Sequence, residues 1–218
     1  MDLSFDSSFK NSGVINFYPY IGDNYIKSNP KILILGESHY ISNEKEPTKA
    51  EIDEWNKDIN TTRGAVEEEY KPYKNTLSVL SNMAIDNNYL YNHLAFYNFF
   101  QKYVGIGSSD KSLIDDALIE LSQKAYFAVF DIIKPNLVIA WGTGDLYNYW
   151  VPQVEYETCS ENGMLYNYKK YPNIKIWHMR HPSARNFDLF NSSMEFSKIC
   201  KYLGYSYPIK FDNNTKLW

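Results

Sequence analysis

The sequence predicts an α/β protein, a three-layer α/β/α domain built on a central, mostly parallel four-stranded sheet. Three observations predict it. Short apolar runs recur along the chain, each giving way to a glycine or a polar residue; segments of helical spacing lie between them; and 44% hydrophobic against 22% charged residues over 218 positions is the composition of a chain with a core to bury. Strands covered on both faces read as continuous apolar runs, and alternation of such runs with helices implies parallel pairing. The length suits a single domain over residues 1–218.

Taken in order, Lys31-Ile32-Leu33-Ile34-Leu35 reads as the first strand, ended by Gly36. Thr48-Lys49-Ala50-Glu51 has the spacing of a capping box, which starts a short helix that fades near Asn60. Leu77, Leu80 and Ala84 place a second helix over about Lys74 to Ala84, and Leu94-Ala95-Phe96-Tyr97 reads as a strand. From about Asp110 to Ile133 an apolar stripe runs through Ile114, Ala117, Leu118, Leu121, Ala125 and Val129, stopped by Pro135. Leu137-Val138-Ile139-Ala140-Trp141 before Gly142 and Lys175-Ile176-Trp177-His178-Met179 supply two further strands. Ser192-Ser193-Met194-Glu195 again fits a capping box, opening a last helix toward Tyr202.

Composition excludes several classes. No run approaches the roughly 18 apolar residues of a membrane span, and Met1 to Asp6 lacks a signal peptide's basic and apolar regions, so a cytoplasmic protein away from membranes is expected. Cys159 and Cys200 are too few for a disulfide scaffold, a four-cysteine zinc site or an all-cysteine cluster, and are expected to be free thiols. The formal charge is −4, unevenly spread. Residues 44–70 hold nine acids against four bases, while residues 169–210 hold eight bases against two acids. The basic potential lies in the second stretch, although a charge run is more often simply a solvated face. Aromatic residues reach 17%, with 20 Tyr, and clusters such as Asn88-Tyr89-Leu90-Tyr91 and Tyr147-Asn148-Tyr149-Trp150 suit either stacking or core packing.

In a parallel sheet, ligands bind where strands end and loop amides converge. The segments there are Gly36-Glu37-Ser38-His39-Tyr40, Asn98-Phe99-Phe100-Gln101, Gly142-Thr143-Gly144 and Arg180-His181-Pro182-Ser183-Ala184-Arg185. Together they bring a carboxylate, an amide, an imidazole and guanidinium groups to one crevice. Such a Glu orients or deprotonates water, and a His on the opposite wall donates to a departing anion. That is hydrolysis without a metal, and no cofactor is expected. Gly142-Thr143-Gly144 lacks the Lys of a P-loop and the third Gly of a dinucleotide fingerprint. His39 is open between a second acid or base, a substrate contact and a structural hydrogen bond. His178 reads as a core or rim histidine and His93 as a loop residue.

These four blocks, in this order, resemble the uracil-DNA glycosylase superfamily, with a divergent first motif. Ile32 to Tyr40 is similar to the family's strand followed by Gly and an acid or amide, Phe96-Tyr97-Asn98-Phe99 to the strand ending in its base-reading Asn, Pro135 to Gly142 to its buried strand, and His181-Pro182-Ser183 to its second catalytic motif. The resemblance spans residues 31–190. It implies a DNA glycosylase, a hydrolase of base-excision DNA repair or of defence, acting by base flipping on single- or double-stranded DNA. Glu37 would activate water and His181 stabilise the leaving base. Gly36, Ser38, His39, Tyr40, Asn98 and Ser183 would contact substrate, with Ser183 also reaching a flanking phosphate. Asn98 would read the Watson–Crick edge, and Arg180 and Arg185 would grip the backbone. Ser38-His39 stands where the first motif usually has Pro, and Ala184-Arg185 departs after His181-Pro182-Ser183, so a deaminated or otherwise modified base is implied rather than uracil in particular. Two other readings stand beside it: a relative that binds or hydrolyses a nucleotide, a nucleoside or another small ligand, favoured by the acidic pI, and a non-catalytic binding protein.

Overall fold

The computed structural model describes residues 1–42, 46–68, 70–83, 88–107, 110–142, 156–158 and 165–209. The chain is α/β, with a mixed sheet of seven strands in place of the four the sequence predicts. The strands are β1 (Tyr20–Ile21), β2 (Ile32–Gly36), β3 (Leu94–Asn98), β4 (Leu137–Trp141), β5 (Tyr156–Thr158), β6 (Leu165–Tyr168) and β7 (Lys175–Met179), in the order β1-β3-β2-β4-β7-β6-β5. The four runs read from the sequence are neighbours, and β3, β2, β4 and β7 pair in parallel. β1, β5 and β6 add antiparallel pairs. Their brevity hid them: two to four residues carry too little periodicity to announce a strand.

Every residue of β2, β3 and β4 is buried, so alternate side chains feed two cores. Leu33, Leu35, Tyr97, Val138 and Ala140 pack with Phe9 of α1 (Asp6–Ser12) and with α5 (Asp116–Ile133). Ile34, Phe96, Ile139 and Trp141 pack on the other face with Val66, Leu77 and Phe196, from α3 (Thr61–Glu67), α4 (Lys71–Leu80) and α6 (Leu189–Leu203). At about 25 cal/mol per Å² of apolar surface removed from water, burial of this kind is the main stabilising term of such a sheet.

The helices follow local chemistry, with corrections at their ends. α2 (Lys49–Trp55) starts at the Thr48–Glu51 capping box, both of whose bonds form. α4 begins at Lys71, three residues before the expected start, with proline in its first turn. α5 begins at Asp116, because the Asp115 carboxylate accepts the Leu118 N–H, which leaves Ile114 outside the helix. α6 begins at Leu189 rather than at the Ser192 box, since Asp188 accepts the Asn191 N–H one turn earlier. A carboxylate already capping that turn leaves Ser192 and Ser193 buried inside the helix. α1 and α3 were not foreseen. Among the described residues no helix is long and apolar enough to cross a membrane. Cys200 is buried, which pushes its thiol up to about 12; Cys159 lies outside the described residues.

Candidate active site

The carboxyl ends of β2, β3, β4 and β7 open into a cavity of about 1020 Å³. Glu37 and His181 both line it, as do Gly36, Ser38, His39, Tyr40, Asn98 and Ser183. Arg180 and Arg185 are exposed and do not line it; they flank the His181 loop. Thr143 and Gly144, and the cluster from Tyr147 to Trp150, lie outside the described residues.

The loop after β2 is fastened to the segment after β3. Phe99 N–H donates to Gly36 O at 3.0 Å, Phe100 N–H to Glu37 O at 2.9 Å, Val104 N–H to His39 O at 3.2 Å and Ile41 N–H to Gly105 O at 2.9 Å. Backbone bonds of this kind leave the side chains of Glu37, Ser38 and Tyr40 to the cavity. Gln101, which the sequence places at the site, is instead buried beneath it, donating to Asn98 O and accepting from the Asn16 and Phe17 N–H groups.

Glu37 receives the Tyr40 hydroxyl on Oε2 at 3.1 Å, and Lys111 Nζ stands 3.0 Å from Oε1. Two carboxylate oxygens carry about four acceptor directions, so a water molecule still has a place. Burial, above all, raises the Tyr40 phenol, which keeps it a donor. On the far side, His181 Nδ1 accepts the Ser183 N–H at 3.2 Å and lies 2.7 Å from Ser183 Oγ. Accepting at Nδ1 leaves the proton of the neutral ring on Nε2. Burial lowers the His181 pKa, and its ring meets Trp141 edge-on at 5.8 Å between centroids. Asn75 Nδ2 holds the loop from α4 by donating to Pro182 O at 2.7 Å.

Asn98, at the end of β3, is buried and oriented by its neighbours. Its Nδ2 donates to Ser38 O at 3.3 Å and to His39 Nε2 at 2.9 Å, and Thr62 Oγ1 lies 3.0 Å from the same imidazole nitrogen. The Ser38 carbonyl only accepts, so the end of the amide facing it is Nδ2. Burial lowers the His39 pKa to about 4, which leaves its nitrogen free to accept. Gly36 makes this geometry feasible, because a Cβ there would collide with Asn98 Oδ1. Of the three roles open to His39, the hydrogen-bonding one is the one seen.

The remaining wall was not read as part of the site residue by residue. Asp58, Asn60 and Glu68 from the acidic stretch line the cavity, with Lys71 opposite in charge. Tyr70, Tyr73, Tyr103 and Trp141 add aromatic faces. Arg63 of the same stretch turns inward, pairing with Asp6, donating to Pro19 O and lying over the Tyr18 ring. Lys111 and Thr62 carry no local signal, since each reaches its partner only through the tertiary structure; Trp141 had one, as the last residue of a strand entering the crevice. Leu90 and Tyr91 pack in a core, and His93 is buried against Ser28 Oγ at 3.0 Å. His178 packs on Tyr166. Among the described residues no group of three or more His, Cys, Asp or Glu is arranged to hold a metal ion.

The fold sets a carboxylate, an imidazole and an amide, from the ends of three strands of an α/β sheet, around one cavity. Comparison with known proteins finds no family model and no curated sequence that matches the chain.

Proposed function

We propose that the chain is a DNA glycosylase-like hydrolase that cleaves the N-glycosidic bond of a flipped, modified base. What carries the reading is one observation: Glu37 and His181, from loops far apart in the sequence, line the same cavity, whose floor holds Asn98. The ordered resemblance of those loops to the uracil-DNA glycosylase superfamily supports it further. The Glu37 carboxylate, held by Tyr40 and Lys111, orients water toward the sugar carbon. As the bond from that carbon to the base nitrogen breaks, its electron pair leaves with the base. The Nε2–H of neutral His181 donates to the base anion, and the proton lost by water passes to Glu37. The aromatic walls stack on the base, offsetting the few kcal/mol of unstacking. Arg180, Arg185 and Ser183 hold flanking phosphates.

A second reading, hydrolysis or binding of a free nucleoside, is favoured by a specific feature: Asp58 and Glu68 set carboxylates on the cavity wall, which repel the phosphates of a polymer. One experiment separates the two. The protein is incubated with oligonucleotides carrying a panel of modified bases and with the free nucleosides, and abasic sites are cleaved with alkali. Strand cleavage falling about 100- to 1000-fold in both Glu37→Gln and His181→Ala is expected. Cleavage unchanged in both variants overturns the assignment, and turnover of nucleosides alone favours the second reading.

A further inference from the structure

We propose that the base this cavity takes is a pyrimidine carrying a bulky, uncharged group at C5, and that the face of α3 around Gly64 and Ala65 is what leaves room for that group. The inference deepens the proposed function and rests on the cavity being a nucleobase site.

Pockets of about 300 to 1,000 Å³ take drug-sized ligands, and a pyrimidine ring is a small part of such a molecule. This cavity, at about 1020 Å³, stands at the top of that range. The excess has a direction. Asn98 donates to His39, and the same His39 nitrogen lies 3.0 Å from Thr62 Oγ1 in the first turn of α3, so the base-reading amide stands near the start of that helix. Thr61, Gly64, Ala65 and Glu68 all line the cavity, and offsets of three, four and seven residues put them on one helix face. At about 1.5 Å per residue, that face carries the cavity roughly 9 Å beyond Thr62.

Gly64 is where the space is made. Glycine inside a helix destabilises it relative to alanine, so one that persists there answers some other demand. Elsewhere in this protein the demand is the backbone's: φ is positive at Gly13 and Gly204, and a Cβ at Gly22, Gly36 or Gly105 would collide with a neighbour. Gly64 meets neither condition. It lies inside α3 without a positive φ, and nothing stands within 4 Å of where its Cβ would be. The fold gains nothing from the missing side chain, whereas a ligand in the cavity that Gly64 lines gains room.

The chemistry of the group follows from the walls. Asn98 reads the Watson–Crick edge, so a substituent leaves that edge free when it sits at C5, where thymine carries its methyl. Asp58 and Glu68 outnumber Lys71 along this part of the lining, which disfavours an anionic group, and Tyr70 and Tyr103 supply rings for it to pack on.

The test is equilibrium binding, by calorimetry, of deoxyuridine, of its derivative with a benzyloxymethyl group at C5, and of that derivative with a carboxylate added to the benzyl ring. The wild-type chain is expected to favour the benzyloxymethyl member over deoxyuridine by about tenfold or more, and to lose most of that gain when the carboxylate is present. Gly64→Leu and Ala65→Leu, each filling the space from its own position, bring the ratio toward unity, with the loss falling on the bulky member. Gly64→Ala adds one methyl to open space and is expected to raise the midpoint of urea unfolding. A bulky member bound no tighter than deoxyuridine, a carboxylated member bound as tightly as the uncharged one, no binding of any of the three, a ratio unmoved in both leucine variants, or a urea midpoint that does not rise in Gly64→Ala overturns the proposal. Binding requires no bond cleavage, so a chain that discriminates as stated but releases no base sinks the glycosylase reading and leaves this one standing. Release of plain uracil from oligonucleotides with no preference for the bulky member sinks this one alone.

Discussion

Across the cavity, the loop after β2 and the loop after β7 are held by different means. The first is bonded along its backbone to residues 99–105, and its wall continues into α3, anchored by the buried Arg63 paired with Asp6. The second carries exposed Arg180, Ser183 and Arg185, and is braced by Asn75 from α4 and by Ser183 turning back on His181. One side is therefore a fixed template, set by interactions with the interior, and the other a short turn whose imidazole depends on its own neighbours. Under the proposed function that asymmetry keeps Asn98 and its neighbours in place while His181 sits on a turn near the surface.

Three measurements break or sharpen this contrast. The largest effect is expected from Arg63→Met, which strands the Asp6 carboxylate and loosens α3. A loss of about 3 kcal/mol in urea unfolding is expected, below the ceiling for a fully buried pair because Asp6 is partly exposed. A loss under about 1 kcal/mol would show that the fixed side is not anchored there.

Acid comes next. His39 has a pKa of about 4 in the folded protein against an ordinary 6.5, so the unfolded chain binds more protons between those values. Stability contributed by neutral His39 is thus complete above pH 6.5 and drains away as pH falls toward 4, by about 2 to 3 kcal/mol. Urea titrations across that window should show a shallower slope in His39→Gln; an identical slope would clear His39 of the effect.

The smallest effect belongs to the His181 side. Ser183→Ala removes the hydroxyl 2.7 Å from His181 Nδ1 but keeps the backbone N–H, so turnover should fall about fivefold with stability nearly unchanged. A drop as large as that of His181→Ala would mean that the hydroxyl touches substrate itself.

The parts of this protein that were legible in the sequence share one property: their cause lies within a few residues. The apolar runs at Ile32, Leu94 and Leu137 became inner strands, and the Thr48–Glu51 pair capped its helix, because burial on both faces and a free amide are local demands. The Ser192 box had the same letters and failed, because Asp188 met the same amide demand one turn earlier. Strand ends also pointed toward the crevice: Glu37, Asn98 and His181 line it, whereas Gln101 is buried and Arg180 and Arg185 stand outside it.

By itself, then, the chain determined its alternating strands and helices and which polar residues stand at strand ends, since apolar period and capping act over one or two turns. Only the tertiary structure decided the antiparallel edges of the sheet, the pairing of Lys111 with Glu37, and the turning of the Asn98 amide onto Ser38 and His39. Each of those depends on side chains brought together from distant segments, where a hydrogen-bond end or an ion partner is chosen by what packs opposite, and no spacing along the sequence records that choice.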